Sequence, residues 1–257
     1  MACGALVTGA SSGVGLAASR ALASRGCDLV MAARGEARLQ EAAEEVSRRY
    51  GVRALPVVAD LTREADVRSL VASALSALGR VDVAFLSYGN PSCEPCEPLE
   101  APWGEWVRAF EMYVASSVAI MRELAERNPV KATVIMVSSF SSRAPMWPTG
   151  VSDVVRASLP ALARLVARRY PAKLRPIVLE LGSFRTPGAE RLISALARAE
   201  GVDPERYWEE RVARLSPLSR LGREDELEAL IAWLAFSPEY LTGVTVSFDG
   251  ASTPCVV

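Results

Sequence analysis

The chain has 257 residues, half of them hydrophobic, and a formal net charge of −1 from 29 basic and 30 acidic side chains. That length suits one large domain with a sizeable core, and the balanced charge gives no electrostatic basis for binding nucleic acid or anionic membrane. Histidine is absent, which removes imidazole acid–base chemistry and the commonest metal ligand, so no metal site is expected.

No apolar run reaches the ~18 residues that a membrane span requires. Met1-Ala2-Cys3-Gly4 leads directly into a strand pattern without a basic and then apolar leader, so a cytoplasmic location is expected. Short apolar, β-branched runs at 5–8, 28–32, 54–58, 81–86, 133–137, 175–179 and 245–248 predict strands. Longer amphipathic stretches at 13–25, 36–50, 63–78, 103–127, 152–170 and 223–236 predict helices between them. The alternation predicts an α/β fold: a Rossmann-type, doubly wound parallel sheet of about seven strands with helices on both faces. Residues 1–257 then form a single dinucleotide-binding domain. One segment, 187–217, breaks the rhythm with two amphipathic helical stretches, 189–199 and 204–214, and is expected to be a helical lid on the substrate side.

Thr8-Gly9-Ala10-Ser11-Ser12-Gly13-Val14-Gly15 follows the first strand and opens the first helix. Gly9 permits a tight turn, Gly13 lets backbone approach a pyrophosphate, and Gly15 allows helix and strand to pack closely. The helix start then offers free N–H groups and the positive dipole end to phosphate. At the end of the second strand stands Ala32-Ala33-Arg34, with no acid to hold a ribose 2′-hydroxyl; Arg34 suits a 2′-phosphate instead. NADP(H) is therefore expected in preference to NAD(H).

The T-G-x-x-x-G-x-G turn, with the marks that follow it in order, resembles the short-chain dehydrogenase/reductase family, in particular its 3-oxoacyl-carrier-protein-reductase-like members. Asp60, followed by Leu61, matches the family acid that contacts the adenine amino group, and Ser87-Tyr88-Gly89 stands where the family has Asn-Ala-Gly. Gly182 and Thr186 resemble the cofactor loop after the sixth strand, and 221–250 carries the family's closing pattern. The resemblance covers essentially the whole chain and implies a nicotinamide-dependent oxidoreductase. It places Gly9, Ser11, Ser12, Gly13, Val14, Gly15, Arg34, Asp60, Leu61, Ser87, Tyr88, Gly89, Arg156, Gly182 and Thr186 around the cofactor.

The same resemblance implies an active site of asparagine, serine, and a tyrosine four residues before a lysine. Ser139 falls at the serine position, but the tyrosine position holds Ser152, the lysine position Arg156 and the asparagine position Tyr113. No tyrosine in the chain precedes a lysine by four residues, and the only lysines are Lys131 and Lys173. An aliphatic alcohol is a far poorer acid than a phenol, and a guanidinium with a pKa above ~12 relays no protons. The expected catalytic set is Ser139 to orient the substrate oxygen, Arg156 to hold the ribose, and Tyr113, Tyr88 or a water held by Ser139 and Ser152 to supply the proton. Pro160, inside this helix, lacks the N–H that would bond the Arg156 carbonyl, and a kink is expected.

Two functional readings follow. One is an NAD(P)-dependent oxidoreductase acting on a carbonyl or alcohol by a non-standard proton route; the alternative is a catalytically silent NADP(H)-binding protein, a cofactor sensor or assembly partner. Met146, Trp147, Trp103, Trp106 and Phe184 predict an apolar small-molecule substrate. Helices 103–127 and 152–170 are apolar on more than one face, which predicts a homodimer or homotetramer through them. Cys93 and Cys96 are read as free thiols, and the five cysteines show no pattern of a disulfide scaffold.

Overall fold

The computed structural model describes residues 3–254. Seven parallel strands form one sheet in the order β3-β2-β1-β4-β5-β6-β7: β1 (Cys3–Thr8), β2 (Cys27–Ala33), β3 (Ala54–Val58), β4 (Val83–Leu86), β5 (Ala132–Ser139), β6 (Leu174–Leu181) and β7 (Val244–Phe248). The strand order reverses between β1 and β4, and the crevice at such a switch point, outside the carboxyl ends of the strands, is where open α/β sheets bind ligands. Register aligns those ends, with Thr8 opposite Leu86 and Ser139 opposite Leu181.

The central strands are apolar on both sides because both faces are covered. One face packs Val7, Leu29, Phe85 and Ile135 against α1 (Gly13–Ala23), α2 (Glu36–Tyr50) and α10 (Glu224–Ala235). The other packs Leu6, Val30, Leu86 and Val134 against α3 (Glu64–Leu78), α5 (Ser116–Arg127) and α7 (Leu159–Arg169).

Two expected helices are subdivided. The stretch 103–127 comprises α4 (Trp103–Phe110), a π-helical turn at Glu111–Ala115 and α5, with the Ser116 and Ser117 hydroxyls donating back to the carbonyls of Met112 and Tyr113 at 2.5 and 2.7 Å. The stretch 152–170 begins earlier, at Gly150, and divides into α6 (Gly150–Arg156) and α7. The break at 157–158 follows from Pro160, which cannot continue the ladder and instead sits in the first turn of α7, where its missing N–H costs least.

The insertion 187–217 forms α8 (Pro187–Glu200), the single turn α9 (Pro204–Tyr207), a π-helical turn (Trp208–Val212) and a 3-10 turn (Ala213–Leu215). It carries its own apolar cluster of Ile193, Leu196, Trp208 and Val212.

A disulfide joins Cys3 to Cys27, the first residues of β1 and β2, which lie directly opposite each other in the parallel register with Cα atoms 4.4 Å apart. The sequence reading did not foresee it, because spacing alone does not reveal which strands are neighbours. Among the described residues no helix is long and apolar enough to cross a membrane.

Candidate active site

One cleft of about 990 Å³ opens at the carboxyl end of the sheet, bordered by the β1–α1 turn, the ends of β2, β4, β5 and β6, and the 187–217 insertion. Gly9, Ser11, Ser12, Gly13 and Val14 line it. Gly15 lies behind them: a Cβ there would meet the Gly9 carbonyl oxygen at 2.2 Å, so only glycine lets α1 start this close to the turn. Gly13 has φ +52°, and a Cβ would crowd the Thr186 side chain at 3.1 Å. The first turn of α1 carries no acid, and Ser12 makes no side-chain cap, so its N–H groups stay available to an anion. The Thr8 hydroxyl donates to the Ser87 carbonyl at 2.8 Å and fastens this turn to β4.

Arg34, Asp60, Leu61, Ser87, Tyr88 and Gly89 line the next part of the cleft. A guanidinium nitrogen of Arg34 lies 3.7 Å from where a Gly89 Cβ would stand, so this arginine reaches across the mouth. Burial opposes ionisation of Asp60, yet its carboxyl is held below the ordinary range by the Thr62 N–H and hydroxyl, at 3.0 and 2.9 Å, and by the charges of Arg34 and Arg108. Gly182 and Thr186 close the same wall, Thr186 capping α8 by accepting from the Ala189 N–H at 3.2 Å. A turn rich in free amides, a cationic mouth without an acid at the end of β2, and a long cleft together fit a nicotinamide dinucleotide.

At the other end of the cleft lie Ser139, Ser141 and Arg156. The hydroxyls of Ser139 and Ser141 are 2.8 Å apart, and Ser141 donates to Asp153 Oδ1 at 2.5 Å. Asp153 is fully buried and also accepts from Arg156 (3.1 Å), the Thr149 hydroxyl (2.8 Å) and the Met146 N–H (3.2 Å). Arg156 donates further to the Ser152 hydroxyl at 3.0 Å and lies 5.5 Å from the Tyr113 ring centroid. Sequence reasoning missed Ser141 and Asp153. The only signal was their closeness to Ser139 and Arg156 in the chain.

Three of the expected catalytic residues need correction. Tyr113 does not line the cleft: it is buried beneath Arg156, and its hydroxyl donates to the Gly89 carbonyl at 2.7 Å. Burial lifts its phenol well above the ordinary value, outweighing the lowering by Arg156, and its hydroxyl is turned to Gly89 rather than to the cleft. Tyr88 borders the cleft, but its hydroxyl lies 2.6 Å from Ser117 Oγ on α5, and burial again raises the phenol. Ser152 is buried with its hydroxyl donating to the Thr149 carbonyl at 3.1 Å, so it does not share a water with Ser139 across the cleft.

Glu94, unremarked in the sequence, comes from the loop after β4. Its Oε1 accepts from the Ser152 N–H at 2.9 Å, while Oε2 is buried without a hydrogen-bond partner. Burial raises its carboxyl above the ordinary value, against the lowering by Ser152 and Arg156. The flanking thiols of Cys93 and Cys96 are free, with sulfurs 2.8 Å apart, and burial with the neighbouring thiol pushes Cys93 up to about 12. Such a thiol is protonated and a poor nucleophile at neutral pH.

The apolar wall differs from the expected one. Trp103 and Trp147 face solvent at 84% and 53% exposure, while Trp106 packs among Tyr113 and Val155. Met146 and Phe184 do line the cleft, and the rest of the wall comes from Met112 and from Leu192, Ile193, Leu196, Trp208 and Val212 of the insertion.

The family model described as enoyl-(acyl carrier protein) reductase matches residues 9–253. A glucose 1-dehydrogenase of Gluconobacter oxydans is 28% identical over 96% of this chain and 91% of its own length. A cis-4-hydroxycyclohexanecarboxylate dehydrogenase of Sinomonas cyclohexanicum is 30% identical over 97% and 96%. The crystal structure of L-sorbose reductase from Gluconobacter frateurii, complexed with NADPH and L-sorbose, superposes with a TM-score of 0.91 at 25% identity, covering 99% of this chain and 98% of that one. With the seven-stranded parallel sheet, the glycine turn and a match along nearly its whole length, this chain belongs to the short-chain dehydrogenase/reductase family of oxidoreductases.

Proposed function

We propose that this protein is an NADP(H)-dependent oxidoreductase acting on a small, largely apolar carbonyl or alcohol, by a proton route that uses neither a phenol nor a lysine. The observation that carries the coenzyme preference is Arg34, which reaches over the cleft at the end of β2 where no carboxylate stands. The NADPH bound in the sorbose reductase complex supports the same choice. The dinucleotide, when bound, supplies or accepts the hydride. The chain's own residues do the rest: the amides opening α1 bind phosphate, Arg156 holds ribose hydroxyls, and Ser139 orients the substrate oxygen. The 187–217 insertion serves as the lid, its Ile193, Leu196 and Trp208 excluding water from the reacting carbon.

Fluorescence titration tests the coenzyme assignment: NADPH should bind at least tenfold more tightly than NADH, and equal affinities would refute it. The silent-binder reading is favoured by one observation, that Ser152 is buried with its hydroxyl on the Thr149 carbonyl and Arg156 is tied to Asp153. Coenzyme binding without turnover of any secondary alcohol or ketone would establish it. The exposed Trp103 and Phe110 of α4, Val154 of α6 and Leu165 of α7 support assembly into a homodimer or homotetramer through these helices. Sedimentation of Leu165→Glu against the unaltered protein checks that assembly.

A further inference from the structure

We propose that Ser139, Ser141 and Asp153 form a hydrogen-bonded relay that carries the substrate proton from the cleft to a buried carboxylate. The proposal rests on the oxidoreductase reading above. Ser139 is the member that meets the substrate oxygen; Ser141 and Asp153 act through it as positioning residues.

The direction of the chain follows from its hydrogen bonds. Ser141 is buried and commits its hydroxyl proton to Asp153 Oδ1 at 2.5 Å. It therefore has only lone pairs to offer Ser139, 2.8 Å away, so the Ser139 hydroxyl is the donor in that contact. A lone pair of Ser139 Oγ is left to accept at the cleft. The far end is a carboxylate held by four donors: Ser141, Thr149, the Met146 N–H and Arg156. A mere loop staple would need only the Met146 and Thr149 contacts. The Ser141 bond instead leads from the carboxylate out to the cleft. Glu94 and Tyr113 are the other titratable groups facing Asp153, and their hydrogen bonds run to the Ser152 N–H and the Gly89 carbonyl rather than to the relay.

This polarity suits alcohol oxidation. The substrate O–H bond breaks as a new O–H forms on Ser139; Ser139 passes its original proton to Ser141, and Ser141 passes its own to Asp153. The carboxylate becomes a carboxylic acid, and both hydroxyls end as they began, each having given and received one proton. An oxidised nicotinamide dinucleotide, held by the amides opening α1 and by Arg156, would be the two-electron acceptor for the carbinol hydride, so the carbon–oxygen double bond would need no further oxidant. In ketone reduction the same bonds run backwards; between turnovers Asp153, itself fully buried, exchanges its proton with cleft water through Ser141 and Ser139.

The test uses the full chain with NADP⁺ and a panel of cyclic and linear secondary alcohols. Ser141→Ala should lower kcat by about 10²- to 10⁴-fold, the range of general acid–base contributions, with KM changed by less than about threefold. Ser141→Thr, which restores a hydroxyl, should recover most of the rate. The unaltered protein should show a solvent deuterium isotope effect with a curved proton inventory, as expected when several protons move together, and Ser141→Ala should lose the curvature. Thermal unfolding and NADPH titration of both variants should match the unaltered protein, which separates a broken relay from a damaged fold. A Ser141→Ala rate within about threefold of normal, or a threonine variant as slow as the alanine one, would overturn the relay while leaving the oxidoreductase reading intact. Coenzyme binding without turnover in the unaltered protein would overturn both.

Discussion

The two ends of the cleft are made of different materials. At the β1–α1 turn the surface offered to a ligand is backbone: glycines and the unshared amides that open a helix. At the β5–α6 end it is side chain: Ser139, Ser141 and Arg156, joined through the buried Asp153 by hydrogen bonds of 2.5–3.1 Å. A backbone cradle tolerates changes in neighbouring side chains but not an added Cβ. A side-chain network tolerates added bulk nearby but not the loss of one hydroxyl. The phosphate end therefore keeps its spacing while the chemical end has room to change its parts.

The sharpest way to break this contrast is Gly15→Val. Its Cβ would press on the Gly9 carbonyl at 2.2 Å, and backbone on both sides cannot yield. Coenzyme affinity should fall by more than about 100-fold, or roughly 3 kcal/mol, with the melting temperature reduced as well. Retained binding would show that the cradle is not backbone-limited.

Next in size is the loss of the Cys3–Cys27 bond, which closes a loop of sequence separation 24. Replacing both residues by serine should cost about 3 kcal/mol of stability by loop entropy. The bond joins the amino ends of β1 and β2, opposite the cleft, so NADPH affinity should stay unchanged; calorimetry and titration on one sample check both halves.

Arg34→Ala should weaken NADPH by about 1.5–3 kcal/mol, the range for hydrogen bonds to charged groups, and leave NADH within about threefold. Equal losses would remove Arg34 from the 2′-phosphate.

The smallest effect is expected at Glu94, whose burial raises its carboxyl. A raised folded-state value means that the native chain holds this proton more tightly than the unfolded one. Stability from this group is therefore complete below the ordinary value of 4.5 and declines as pH rises through the folded value. Glu94→Gln should raise the melting temperature at pH 7 and have little effect at pH 4. The opposite order would mean that Arg156 dominates the environment of this carboxyl.

Much of the fold was legible because its signals are local. Apolar β-branched runs mark strands wherever both faces are buried, and all seven appear within three residues of their expected ends. Gly9, Gly13 and Gly15 could be read in advance because their roles follow from what a Cβ would strike. The chemical end was harder. Tyr113 and Tyr88 were reasonable donors by position, but their hydroxyls turn to Gly89 and Ser117 inside the protein. Ser141 and Asp153 are ordinary residues in the chain and become a unit only when the turn after β5 folds onto α6. Trp103 and Trp147 carried the right hydrophobicity for a pocket wall and face solvent instead.

By itself the sequence determined the parallel α/β architecture, the amide-rich turn at its start, and the absence of a tyrosine four residues ahead of a lysine. These depend on residue type and spacing within short windows. Only the tertiary structure decided which hydroxyls face the cleft, that Glu94 meets the Ser152 N–H while Asp153 lies buried against Arg156, and that Cys3 meets Cys27. Those facts depend on strand register and on side-chain direction across elements far apart in the chain, and neither is encoded in any local pattern.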